Sequence, residues 1–152
     1  MFRPTLAVAA LMLVGCATAP KTYNIDSTYP FDHPQADVWQ AVVYVAGENN
    51  WPIRLMETES GYLGLEQVRT TDELDCGNPD ITSTQSAAYA DINITVQGDQ
   101  STSLMRVNVR GSAVRTSEFG DGSQHVVECN STGMLESTIA TMVRDRLATK
   151  ER

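Results

Sequence analysis

His33 and His125 are the only imidazoles in the chain, and neither sits in a pattern that would activate a nucleophile. Hydrolysis by a serine needs that residue on a strained turn with a histidine held beside it, and no Gly-x-Ser-x-Gly elbow is present. His33 reads as a polar residue at a helix entrance and His125 as a strand-end residue next to a glycine-rich turn. Glu57, Glu59 and Glu66 fall close together in one hairpin, where paired carboxylates could cleave a glycosidic bond, but a solvated strand edge accounts for them. Gly120-Asp121-Gly122 lacks the lysine of a phosphate loop and the alternating acidic ligands of a calcium loop. The cysteines Cys16, Cys76 and Cys129 are left with the most chemistry to offer. A metal site built from Cys76, His125 and Cys129 would have three visible ligands and no CxxC spacing, so no metal is expected. No catalytic constellation can be named, and the chain reads as a non-enzyme.

Cys16 stands apart because of what precedes it. Arg3 is followed by ten residues, Thr5 to Val14, that are apolar except for the threonine. That suits the core of a signal peptide and is too short to cross roughly 30 Å of hydrocarbon, which takes about 20 apolar residues. Leu13-Val14-Gly15-Cys16 resembles the lipobox of bacterial lipoprotein precursors. The resemblance implies cleavage after residue 15 and a covalent lipid on Cys16, the one non-protein group expected. Two or more acyl chains, at about 0.8 kcal/mol per buried CH₂, hold a protein to a bilayer almost permanently. By the sorting rule of that family, Ala17 in place of aspartate implies the outer membrane, most simply facing the periplasm.

In an oxidising compartment Cys76 and Cys129 are then expected to pair. Residues 16–28 are small and polar, include Pro20, and read as a flexible tether whose twelve residues after the cysteine reach at most about 40 Å. Residues 29–152 suffice for one domain with a real core. The formal charge of −8 becomes −9 when Arg3 is removed with the leader. Nucleic acid is excluded as a partner, since it requires clustered cations.

The elements that must present any site follow from periodicity. Asp32 and Gln35 suggest a capping box opening a helix in which Val38, Val42 and Val45 form the inward stripe. Ile53–Glu57 and 62–69 make a hairpin about Ser60-Gly61, and 70–86 reads as a long loop stapled by Cys76. Ala88, Ala90, Ile92, Ile94 and Val96 alternate with polar residues, as do Met105, Val107 and Val109, giving a second hairpin. A short strand at 125–129 and a helix from Ser131 or Thr132, with Leu135, Ile139, Met142, Val143 and Leu147 at helical spacing, complete the chain. The expected fold is α+β, a two-layer sandwich of a four- to five-stranded antiparallel sheet with the N- and C-terminal helices on one face.

The sheet's other face would carry Arg54, Tyr89, Arg106, Asn108 and Arg110, with Asp91, Asn93 and Thr95 among them. Arginine and tyrosine are enriched at interfaces, although any one-sided sheet has a polar outer face. Asp37-Val38-Trp39, Trp51-Pro52-Ile53 and Ser60-Gly61-Tyr62-Leu63 resemble BamC-like helix-grip modules of outer-membrane lipoproteins. Over residues 29–149 this implies one such module as a fold and carries no role over with it; the exposed sheet face, or a rim of the groove between helix and sheet, is what leads to the expectation of an envelope protein as partner. A second expectation is a periplasmic carrier holding a small apolar ligand between helix and sheet, in a pocket lined by Met105, Val109, Leu135 and Ile139.

Overall fold

A computed structural model describes residues 17–79, 83–118 and 122–150. Along it run β1 (Thr28–Phe31), α1 (Gln35–Glu48), β2 (Ile53–Glu57), β3 (Tyr62–Thr70), β4 (Leu74–Asp75), β5 (Ser83–Gly98), β6 (Ser103–Ser117), β7 (Gln124–Ser131) and α2 (Met134–Lys150). The described residues are α+β, as the periodicities predict, with two helices and one curled antiparallel sheet. The sheet is seven-stranded, in the order β2-β3-β5-β6-β7-β4 with β1 paired to the start of β6. This corrects the expected four to five strands. The additional strands, β1 and β4, have four and two residues. At that length no period-two signal can register, and both are strands only because β6 and β7 offer them partners.

The central pair carries the core. On β5 the buried residues are Ala88, Ala90, Ile92, Ile94 and Val96, and on β6 they include Met105, Val107 and Ala113. These pack with Leu63, Leu65 and Val68 of β3 and with the inward stripes of both helices in one cluster. Between Leu65 and Val68 β3 carries a bulge, with Gln67 at φ 51° and its N–H donating to the Asp91 carboxylate at 3.0 Å. The extra residue lets both Leu65 and Val68 point inward although three positions separate them.

The helices run antiparallel. Asp37 in the first turn of α1 meets Lys150 at the end of α2 at 2.8 Å, and the Arg146 guanidinium lies 3.4 Å from the Tyr44 ring centre. The expected capping box at Asp32 does not form. Chain that continues from β1 makes Pro34 the N-cap, without a side-chain hydrogen bond, and the Gln35 N–H is satisfied by the Asp99 carbonyl of the β5–β6 turn at 2.9 Å. The last helix also starts later than predicted, at Met134, because Ser131 ends β7. The Ser131 hydroxyl accepts from the Gly133 N–H at 3.1 Å and donates to Glu136 at 2.7 Å.

Cys76 and Cys129 form a disulfide. It fastens β4 and the loop after it to β7, beside the start of α2. Gly111, the β6 partner of Cys129, is needed here, since a Cβ would stand 2.8 Å from the Leu74 methyls and 2.9 Å from the Cys129 Cβ.

Candidate functional site

The candidate site is the solvent face of β2, β3, β5 and β6. Register sets it: Thr95 pairs with Arg106, Asn93 with Asn108 and Asp91 with Arg110, while Tyr89 lies between Arg69 and Ser112. Because buried residues occupy the alternate positions of β5 and β6, these side chains all point the other way. Tyr62 donates to the Asn93 side-chain oxygen at 2.6 Å. Gly64 is buried with no side chain of its own, and atoms of Tyr62 and Arg54 come within 3.4 Å of where its Cβ would be. Arg54, on β2, therefore reaches across to β3.

Arg54, Tyr89, Arg106, Asn108 and Arg110 are all exposed. Sequence reasoning missed Arg69, which joins them as the cross-strand neighbour of Tyr89. Had the alternation been carried past the bulge at Gln67, Arg69 would have fallen on this face. Arg54, Arg69, Arg106 and Arg110 have no ion pair and donate no hydrogen bond among the described residues. Asp91, the carboxylate opposite Arg110, is committed to the Gln67 N–H. The other arginines in the described part are employed in the fold. Arg115 donates to the Cys76 and Gly77 carbonyls at 2.6 and 3.2 Å, Arg144 lies over Phe31 and Tyr29, and Arg146 over Tyr44. In a chain of net charge −8, the described guanidinium groups without a partner are thus gathered on one face.

The remaining sequence candidates are dispersed. Glu57 accepts from Ser60 at 3.1 Å and is exposed, as are Glu59 and Glu66. His33 is half-buried, its carbonyl accepting from Ser103 at 3.1 Å, and His125 is exposed on β7 opposite Arg115. The sulfurs of Cys76 and Cys129 are bonded to each other, and among the described residues no group of three potential metal ligands comes together. Met105, Leu135 and Ile139, named for an apolar pocket, are instead packed into the shared core, and Val109 lies half-buried on the wall of a polar cleft. That cleft, about 650 Å³, opens where the sheet forks: β1 pairs with β6 as far as Arg106, β7 pairs with it only from Gly111 on, and Asn24, Ser27, Asn130 and the buried Glu136 form its sides. Cys16, the leader before it, and Asp121 with Phe119 and Gly120 lie outside the described residues.

The segment read as a tether is not free of the domain. The Lys21 N–H and the Tyr23 hydroxyl both donate to the Asp75 carboxylate, at 3.1 and 2.9 Å, and the Asn130 amide donates to the Lys21 carbonyl at 2.9 Å. Asn78 N–H donates to the Thr18 hydroxyl at 3.1 Å, and Ile25 packs against Gly133. Asp75 also accepts from the Gly77 N–H at 2.8 Å. That bond, then the Tyr23 hydroxyl, then the Lys21 N–H, hold its carboxyl below the usual aspartate range. Among the described residues no helix is long and apolar enough to cross a membrane.

No protein-family model matches this chain, and no curated protein matches it.

Proposed function

We propose that this chain is a non-enzymatic lipoprotein of the outer membrane, held by a lipid on Cys16 and facing the periplasm, that docks an envelope protein through the exposed face of its sheet. The reading rests on the four guanidinium groups without partners, Arg54, Arg69, Arg106 and Arg110, spread over adjacent strands. Arginine pairs bidentately with carboxylates and is only weakly hydrated, so such a face suits an acidic surface on the partner. Tyr62, Tyr89, Asn93 and Asn108 between the arginines add contact area and hydrogen bonding. The architecture in this reading is a two-layer helix-grip module, its helices covering the inward face and leaving the outward face to the partner. Packing of α1 and α2 against each other and against β6 supports it.

Reversal of two charges tests the proposal. Arg106→Glu with Arg110→Glu changes exposed side chains only and leaves folding intact. Expected is loss of the partner from pull-downs of solubilised membranes, with wild-type recovery for a control reversal at the exposed Asp145 on α2. Unchanged partners would refute the assignment of this face.

A further inference from the structure

The contacts of residues 18–25 bear on where a lipid-anchored domain would sit. An unattached tether would let the domain stand up to about 40 Å from the bilayer. Here the chain is fixed to the domain from Thr18 onward, through Asn78, Asp75, Asn130 and Gly133. The dock itself is built rather than incidental. The disulfide ties the Cys76 loop to β7, Arg115 holds the Cys76 and Gly77 carbonyls, and Asp75 gathers the N–H groups of Gly77 and Lys21 with the Tyr23 hydroxyl. Lys21 is held through both its N–H and its carbonyl. Only two peptide steps then separate Cys16 from Thr18, a reach of about 7 Å.

We infer that the disulfide end of the domain, around Asn78 and the docked strap, is the surface that lies against the lipid headgroups. The inference rests on lipidation of Cys16 as proposed above. Direction follows from the course of the strap. From Thr18 beside Asn78 it runs antiparallel to β6 and enters β1, whose Phe31 pairs with Ser103. The β5–β6 turn at Gln100 is therefore the far end, about 40 Å along the strand from Arg115 at about 3.3 Å per residue. The partners of this surface are headgroups rather than acyl chains, because the residues it presents, Thr18, Lys21 and Asn78, are exposed and polar.

Full-length acylated protein, reconstituted in phosphatidylethanolamine–phosphatidylglycerol vesicles carrying a headgroup quencher, tests this. A fluorophore on Asn78→Cys is expected to lose its emission, and one on Gln100→Cys to keep it. Asp75→Ala with Tyr23→Phe, which removes the acceptor and one donor of the dock, should restore emission at position 78. Trypsin supplies an independent measure: cleavage after Lys21 should be slow in the parent protein and fast in the double variant. Mass spectrometry of the same preparation separates the two ways of failing. An unmodified Cys16 would remove the lipoprotein reading itself. An acylated protein that leaves the label at 78 bright, quenches both labels alike, or is cut readily after Lys21 would overturn the orientation alone.

Discussion

Glu136 is a carboxylate only 2% exposed, with Ser131 as its side-chain donor and no ion pair among the described residues. A buried anion is tolerated when hydrogen bonds replace its hydration, and its place in the first turn of α2 adds the favourable end of the helix dipole. Ser131→Ala removes the one side-chain donor and leaves the charge in place. It should lower the unfolding free energy by about 1–3 kcal/mol, whereas Glu136→Gln, which keeps the shape without the charge, should cost less. Urea denaturation of the two variants would reveal whether the order is reversed. Gly111→Val acts by volume instead. The new side chain meets Leu74, which can move, and the Cys129 Cβ, which the disulfide restrains, so overpacking of about 1–3 kcal/mol is expected in the same assay.

At the scale of elements, the disulfide accounts for a large share of what holds the β4 loop. Cys76 and Cys129 are 53 residues apart, and closing such a loop stabilises the folded state by about 4 kcal/mol in the chain-entropy model. Replacing both cysteines with serine should lower the unfolding free energy by about that amount. It should also speed tryptic cleavage after Lys21, because the strap docks on the fastened loop. A double variant as stable as its parent would mean that packing of Leu74 suffices. The pairing was legible in the sequence through the cysteine count and the oxidising compartment expected from the lipobox resemblance, as were α1, the β2–β3 hairpin and the β5–β6 pair through periodicity. What stayed hidden was set by contacts distant in sequence. Leu74–Asp75 is a strand because β7 lies beside it, and the Asp32 cap is replaced by a carbonyl from residue 99. The strap looked like a tether because its composition is polar, yet its anchoring bonds are made by the Lys21 backbone and by the Thr18 and Tyr23 hydroxyls. The outer sheet face was legible residue by residue, save for Tyr62 and for Arg69 beyond the bulge. That its guanidinium groups lack partners was not, since the partners of Arg115, Arg144 and Arg146 come from elsewhere in the chain.

For the molecule as a whole, two sets of groups give stability opposite pH limits. Asp99 is held below the ordinary aspartate range by the N–H groups of Thr102 and Ser101 and the Ser101 hydroxyl, and Asp75 by the bonds of the strap dock. Glu73 is pushed up by burial, but the Thr71 N–H and neighbouring backbone donors outweigh this and leave it lowered. Groups with depressed folded-state values contribute stability that is present above their unfolded value, about 4, and lost as pH falls through the folded one. Tyr23, raised chiefly by its bond to Asp75, and Tyr29, raised first by burial and then by the charge of Glu136, behave conversely. Their contribution is complete below the unfolded value of about 10 and is lost as pH rises further. The strap is therefore under both limits at once, since the three bonds Asp75 accepts are strongest when it is ionised and Tyr23 must be protonated to donate. Hydrogen exchange at the Lys21 amide should be protected across the neutral range, after correction for intrinsic rates, and lose protection first at Lys21 in strong acid and again above about pH 10. Tyr23→Phe should abolish the tyrosine contribution to the alkaline loss while leaving the acid one, a split that a strap held by packing alone would not produce.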